Sequence, residues 1–435
     1  MEKTTKSGNR LIFVAACVGW IHDAYNLTII TLLGTSIINA FPGIGDFELG
    51  LIFSGQFIAT FVGAIVFGSM ADRIGRKPAL IFSILWDTVI TTLSAFSINY
   101  WWLFITRIMS GMGVSWGVGY ALVSESFATR PEKRGLAGGF LHSTFIVGFV
   151  LASVVAQLII PLDLPFGSWR YCFLVSLFPV PILVLLNFKM KESEMMEEYK
   201  EEMKRRGQEI RKVPILNVFK QEKGTYLLIV SAIMLWLSQL VYHNLIDFGP
   251  RYIDAISGDP NLGSRMVSIV GIFGAIGIIG FGALSDKIGR KIVFFINMLI
   301  QFLAVILFVI ANALIMVGLL VLAYIIFGFG QGNSGVQGVW LTELFATGER
   351  ASTASTVYSF ARGFSLSGII IGLSSSFIAD SFGLSESVAL GWAMGLAFFF
   401  YIPLLILPWL LPETKGKIIK AVEDEDVADL DVLKP

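Results

Sequence analysis

Long apolar runs separated by short polar loops set the plan of this chain. Runs near 11–38, 49–71, 78–98, 101–124, 135–160 and 170–188 are followed by a second set near 224–247, 264–286, 291–311, 314–341, 352–379 and 386–411. A span needs about 20 mainly apolar residues, because the hydrocarbon layer is about 30 Å thick. Backbone groups in lipid must be satisfied within the segment, so the runs are read as helices. The short alternating segments of a barrel are not part of this pattern. The expectation is an all-α integral membrane protein with twelve transmembrane helices in two pseudo-symmetric six-helix halves. The halves are 1–188 and 224–411, joined by a charged linker at 189–223 and followed by a tail at 412–435. The polar start, Met1 to Arg10, leads into the first run without a small-residue cleavage pattern, so a retained helix is expected.

Composition agrees with this plan. The chain is 55% apolar and 15% charged, against about 25% charged in soluble proteins. Lys+Arg and Asp+Glu balance at 32 each, so net charge points to neither nucleic acid nor an acidic partner. Placement says more. Of the basic residues, 26 fall in loops on one side of the bundle, and Arg170, Arg251 and Arg265 in those on the other. That asymmetry puts both termini and 189–223 in the cytoplasm of a multi-pass cell-membrane protein. The linker reads as a solvated connector or an interfacial helix. Cys17 and Cys172 lie in apolar runs and read as buried thiols. No Gly-rich nucleotide loop, metal-ligand set or nucleophile arrangement stands out. An ATP-driven pump and a membrane enzyme are therefore disfavoured, and no cofactor or metal is expected.

A repeat divides the chain. After the second run it reads Gly68-Ser-Met-Ala-Asp72-Arg73-Ile-Gly75-Arg76-Lys77, and after the eighth Gly282-Ala-Leu-Ser-Asp286-Lys287-Ile-Gly289-Arg290-Lys291. Parallel halves of this kind form alternating-access transporters, with the binding site near mid-membrane between them. Glycine permits close helix approach, and the aspartate with its basic cluster suits a charge-linked latch. One copy alone would pass for an ordinary topogenic loop; two at equivalent places favour the latch. The repeat resembles the loop motif with which the major facilitator superfamily holds its inner gate. Arg107-Ile-Met-Ser-Gly111-Met-Gly113 resembles that family's fourth helix, and Glu125 with Arg134-Gly135 the end of that helix and the start of the fifth. Glu343-Leu-Phe with Arg350 is similar to the matching pair in the second half. Leu411-Pro-Glu-Thr-Lys-Gly416 resembles the ending of sugar and organic-ion branches. The resemblance implies the major facilitator fold and gate roles for Asp72, Arg73, Arg76, Asp286, Lys287, Arg290, Glu343 and Arg350. Glu125 aligns with a cytoplasmic-side glutamate and is grouped with Asp23 and Arg107 as a proton-coupling candidate.

Polar residues inside the apolar runs are the candidate chemistry. His22-Asp23-Ala24-Tyr25-Asn26 resembles the first-helix acidic motif of proton symporters for phosphate, lactate, sialate and aromatic acids. Ser115-Trp116-Gly117 shares Trp-Gly with the lactate and sialate branch and has serine where that branch has glutamate. Arg362-Gly363 resembles the Arg-Gly of organic-ion, nicotinate and aromatic-acid transporters, whose arginine serves anionic substrates. A charge in a membrane helix is costly and usually faces the bundle interior or a water-filled path. Asp23 suits a proton carrier; the alternative is a permanent structural pair with Arg107. Arg362 can hold a carboxylate through two parallel hydrogen bonds, or tie two helices together. Gln239, His243 and Asp247 recur at helical spacing beside Tyr242 and Asn244, a stripe suited to lining a cavity, with Asp247 at the outer gate. Asn26, Tyr25, Tyr120 and Trp116 could flank an organic substrate. Asp87 reads as a packing anchor beside Trp86, and His142 as a weaker candidate. The expected function is proton-coupled symport of a small organic anion by alternating access, with the bilayer, protons and the solute as the only partners. Sugar or polyol symport and proton-driven anion export are the alternatives.

Overall fold

Every regular element in the structure, a computed structural model, is helical. It describes residues 2–44, 46–113, 116–128, 130–182, 190–206, 214–221, 223–246, 248–259, 262–364 and 367–419. Among them eight stretches are long and apolar enough to cross a membrane: Phe13–Leu32, Leu51–Ile74, Pro131–Leu162, Gly224–Ile246, Ser268–Ile288, Arg290–Leu314, Val317–Leu344 and Glu386–Leu410. The expected third run does form a helix, Arg76–Ser94, but its buried face carries Ser83, Asp87, Thr88, Thr91 and Ser94. Those polar side chains lower its hydropathy because they face other helices rather than lipid. The expected runs at 101–124, 170–188 and 352–379 include residues outside the described ones.

The two parts of the chain meet along matched contacts. Helix Asp46–Ile74 packs on Arg350–Gly363, and Leu262–Ile288 packs on Arg134–Ile159. The first glycine of each repeat makes this possible. A Cβ on Gly68 would lie 2.7 Å from Ser352 Cα, and one on Gly282 would lie 2.6 Å from the Gly135 carbonyl oxygen. Each repeat aspartate then reaches the start of the opposing helix. Asp72 accepts from the backbone N–H of Ala351 at 3.2 Å and Ser352 at 2.8 Å. Asp286 accepts from Gly135 at 2.7 Å and Leu136 at 2.9 Å. The first N–H groups of a helix lack intrahelical partners and carry partial positive charge, so a carboxylate there is favoured.

Arginines complete the lock. Gly75 and Gly289 take φ of 124° and 109°, a region that glycine enters without cost. The chain turns there, and the next helix returns Arg76 to Asp72 and Arg290 to Asp286. Arg76 also donates to Glu125 at 2.8 Å and to the Thr347 carbonyl at 2.8 Å. Arg290 donates to Glu343 at 3.1 Å. The helix-end glutamates are exchanged between the two parts of the chain: Arg134 pairs with Glu343 at 2.6 Å and Arg350 with Glu125 at 3.6 Å.

Two expectations about this region change. Arg73 and Lys287 are exposed, because the residue after each aspartate points about a quarter-turn away around the helix. They take no part in the lock, whose cations are Arg76, Arg134, Arg290 and Arg350. The second change concerns the expected linker and tail. Ser193 caps helix Glu194–Arg205, and Met196 is fully buried. Glu192 accepts from the N–H of Arg76 at 2.9 Å, as Glu413 does from Arg290 at 2.9 Å. Ser193 donates to Glu125 at 2.6 Å, as Thr414 does to Glu343 at 2.5 Å. Residues 190–205 and 412–417 are thus matched braces on the lock; residues 420–435 lie outside the described ones.

Asp286→Asn removes the negative charge that two N–H groups and Arg290 share. The expected result is a shift of about 1–3 kcal/mol, the usual range for linked sites, toward conformations with this end open. Spin labels at the exposed positions 73 and 287 would read it as a longer distance population. Asp72→Asn should act the same way, and unchanged distributions in both variants would remove the lock's role.

Candidate substrate and coupling site

Helical spacing gathers the central cavity. Trp20, Asp23 and Leu27 succeed one another by three and four residues, as do Tyr358 or Ser359 and Arg362, so each set shares a helix face. These faces meet, with Thr60, Trp116 and Phe145, around a central cavity. Asp23 and Arg362 are the acidic and basic groups of this lining, one from each part of the chain. The Arg362 guanidinium lies over Phe57 at 4.9 Å and Phe145 at 5.2 Å. Cation–π contact of this kind orients a guanidinium without neutralising it.

Aromatic rings close one wall. Trp116 and Tyr358 stack at 3.9 Å with their planes 4° apart, joining the two parts of the chain directly. Trp20 meets Tyr120 edge-on at 5.6 Å. The Tyr120 hydroxyl lies 3.1 Å from His142 Nδ1, and Gln239 is hydrogen-bonded to Tyr358.

A second, smaller cavity adjoins the first, lined by Asp23, Asn26, Leu27, Gln56, Asp87, Ser110, Gly111 and Gly113. Here the reading of Asp87 as a packing anchor is corrected. Its carboxylate accepts from Asn26 Nδ2 at 2.7 Å and Thr91 Oγ1 at 3.1 Å. It also lies 3.4 Å from His22 Nδ1. The Asp23–Arg107 pairing is corrected as well. Arg107 turns to the Asn26 carbonyl at 2.5 Å and the Thr91 hydroxyl at 3.1 Å, and the carboxylate whose field acts on it is Asp87. The cause is reach: Asp87 and Thr91 stand one turn apart on the helix that Arg107 packs against.

Other sequence candidates separate. Tyr25 is fully buried and donates to the Cys172 carbonyl at 2.5 Å. It therefore anchors packing and is not among the residues lining either cavity. Glu125 joins the lock through Arg76, Arg350 and Ser193 rather than the Asp23 cluster. Gln239 and His243 are buried, and the His243 ring meets Phe57 at 6.3 Å across the two parts of the chain. Tyr242 packs its ring on His243 at 5.1 Å. Asn244 is fully buried, and neither end of its amide has a hydrogen-bond partner among the described residues. Asp247 and Ser115 lie outside the described residues. Trp20, Phe145, Tyr358, Ser359, His22, Asp87 and Arg134 were not assigned to the site or lock from sequence. Trp20, Tyr358 and Ser359 could have been found by stepping three or four residues from Asp23 and Arg362. Phe145 and Asp87 carry no such signal, because they arrive from other helices.

Comparison with known proteins follows the same lines. The sequence profile of the Major Facilitator Superfamily matches residues 11–367. A probable 4-methylmuconolactone transporter of Cupriavidus pinatubonensis is 26% identical over 430 residues, covering 95% of this chain and 93% of its own length. The sialic acid transporter NanX of Escherichia coli is 26% identical over 398 residues, covering 89% and 91%. Among solved structures, the proton:xylose symporter XylE bound to 6-bromo-6-deoxy-D-glucose superposes with a TM-score of 0.77. It is 18% identical and covers 95% of this chain and 98% of its own. All three are transporters. A profile match over most of the chain, on an all-helical, multiply membrane-spanning fold, places this protein in the Major Facilitator Superfamily, as a secondary-active transporter of a small organic solute.

Proposed function

We propose that the protein is a proton-coupled symporter of a small organic anion, working by alternating access between two six-helix halves of a twelve-helix bundle. Both termini and the 189–223 segment are cytoplasmic in this reading, so the lock is the inner gate, and the described state is closed toward the cytoplasm. The basic-residue asymmetry supports that orientation.

One observation carries the proposal: Arg362 and Asp23 line the same cavity from opposite parts of the chain. Arg362 supplies the planar, permanently charged fork that a carboxylate needs. Four aromatic side chains, Leu27 and the hydroxyls of Thr60, Tyr358 and Ser359 complete the lining. Such walls suit a small, largely planar acid better than a polyol, whose many hydroxyls would leave unmatched hydrogen bonds on flat aromatic faces. A relative that transports sialic acid supports an acidic solute, whereas the likeness to the xylose symporter is one of fold.

Coupling follows from charge. Ionised Asp23 repels an anion entering beside Arg362. Protonation removes that repulsion, so anion affinity should rise as pH falls. With both solute charge and carboxylate charge neutralised, the loaded site has no net charge to hold it open to water, and the halves can rock.

Arg362→Ala should weaken anion binding by about 2–5 kcal/mol, the cost of stripping one partner from a desolvated charge pair. Arg362→Lys should recover only part. Asp23→Asn should bind and exchange substrate yet fail to concentrate it under a pH gradient. Vesicle uptake and direct binding across pH, with labelled gentisate, benzoate, sialic acid and xylose, would decide. Anion affinity that survives in Arg362→Ala, with xylose competing, would move the assignment to a sugar symporter. Orientation is tested separately: a cysteine at exposed position 205 should resist an impermeant reagent added outside sealed cells, and rapid labelling there would reverse the topology.

A further inference from the structure

Three membrane-spanning stretches end together at one edge of the lock. They are Ser268–Ile288, Arg290–Leu314 and Glu386–Leu410, and Lys287, Lys291 and Trp409 each stand next to a terminal residue of one of them. That depth is the headgroup layer of a bilayer. The segment after the last span returns to the same place. Glu413 accepts from the backbone N–H of Lys291 at 3.0 Å and of Lys415 at 2.9 Å. Lys415 Nζ donates to the Lys287 carbonyl at 2.5 Å. Lys287, Lys291 and Lys415 therefore start from one small patch.

The acids at this edge are engaged elsewhere. Asp286 and Glu343 pair with Arg290, and Glu413 closes the N-terminus of helix Arg290–Leu314. Among the described residues no carboxylate pairs with the three ammonium groups. Positive charge on the patch thus outweighs negative. Aromatic and apolar side chains flank it. Lys291 Nζ lies 5.8 Å from the Trp409 ring centroid, and Trp409 meets Phe295 edge-on at 5.6 Å. Trp409 is 53% exposed, and Ile288, Ile292 and Leu410 are exposed beside it. An ammonium over an indole holds a cation at the level of lipid phosphates, with apolar surface below it for the first methylenes of the acyl chains.

The matched edge in the first part of the chain has a different charge. Lys200 donates to the Ile74 carbonyl at 2.8 Å there, as Lys415 does to Lys287. Its helix, Glu194–Arg205, carries five glutamates, and acids repel an anionic headgroup. Residues 412–417 hold one acid, Glu413, whose oxygens are turned to backbone N–H groups.

We propose that Lys287, Lys291, Lys415 and Trp409 form a binding site for the phosphate headgroup of an anionic phospholipid. The ammonium groups donate to phosphate oxygens, and the surplus of lysine attracts negative lipid over zwitterionic lipid. The acyl chains run along Ile292 and the exposed face of Trp409. The site requires only a membrane-spanning bundle, so it stands or falls independently of the symport reading and of the choice of leaflet.

Fluorescence of the full-length protein in phosphatidylcholine nanodiscs tests this. The emission of Trp409 is read as the difference between each protein and the same protein carrying Trp409→Phe. Brominated phosphatidylglycerol at a small mole fraction should quench it several-fold more than brominated phosphatidylcholine at the same fraction. Combining Lys287→Gln, Lys291→Gln and Lys415→Gln should erase that preference, whereas the three Lys→Arg changes together should keep it. Each single Lys→Gln change should lower it, which keeps the test available if the triple variant does not fold. Equal quenching by the two lipids would mark an ordinary interfacial tryptophan and overturn the site, as would a preference untouched by the Gln changes. A preference abolished by inorganic phosphate at constant ionic strength would also overturn it, because the site would then hold a free anion rather than a lipid.

Discussion

A charge taken out of water into a bundle of membrane helices must be matched by opposite charge, by aligned dipoles or by a proton. That constraint organises most of what is specific about this protein. At the lock, Asp72 and Asp286 are satisfied by helix N-termini of the opposing part of the chain and by Arg76 and Arg290. In the cavity, Arg362 is faced by rings and left without a carboxylate partner among the described residues. Behind it, Asp87 is met by Asn26 and Thr91, and Arg107 by the Asn26 carbonyl and the Thr91 hydroxyl. Every carboxylate of the lock thus has a buried guanidinium beside it, whereas the Arg362 guanidinium in the cavity lies over aromatic rings.

Matching by exchange also explains why the lock is specific to one state. Each glutamate at a helix end pairs with an arginine from the other part of the chain, Arg134 with Glu343 and Arg350 with Glu125. Each aspartate caps a helix from the other part. None of these contacts can survive if the two surfaces separate. Buried ion pairs contribute little net stability against a well-packed apolar alternative, but leaving one partner alone is costly. Separation of these surfaces would therefore need water to solvate the charges left behind.

The sequence carried the helical membrane class, the repeat and the two groups that line the cavity, because each leaves a local mark. Apolar runs mark spans, Gly-x3-Asp marks the lock, and Asp23 and Arg362 stand out as charges in apolar surroundings. What it did not carry is tertiary. Asp87 looks like an isolated acid beside Trp86 until two other helices bring Asn26, His22 and Arg107 to it. Arg73 and Lys287 look like lock residues until the helix phase turns them outward. Glu192 and Glu413 sit in segments expected as linker and tail; only the fold reveals that they close the N-termini of Arg76–Ser94 and Arg290–Leu314.

The two sites share rigid elements, which supplies a physical route between them. Helix Arg350–Gly363 begins at the N–H groups that Asp72 caps and ends at Arg362. From Ser352 to Arg362 it forms about 15 Å of rigid rod. Helix Trp116–Ser126 likewise begins at the ring stacked on Tyr358 and ends at Glu125 in the lock. Pulling Arg362 toward a bound anion, or parting the Trp116–Tyr358 stack to admit one, moves a helix whose far end is part of the lock. Tilt of a rod moves both of its ends, and the caps at Asp72 and Asp286 tolerate only tenths of an ångström before a hydrogen bond weakens. Arg362 and the capped N–H groups thus sit on one rigid helix, and Trp116 and Glu125 on another.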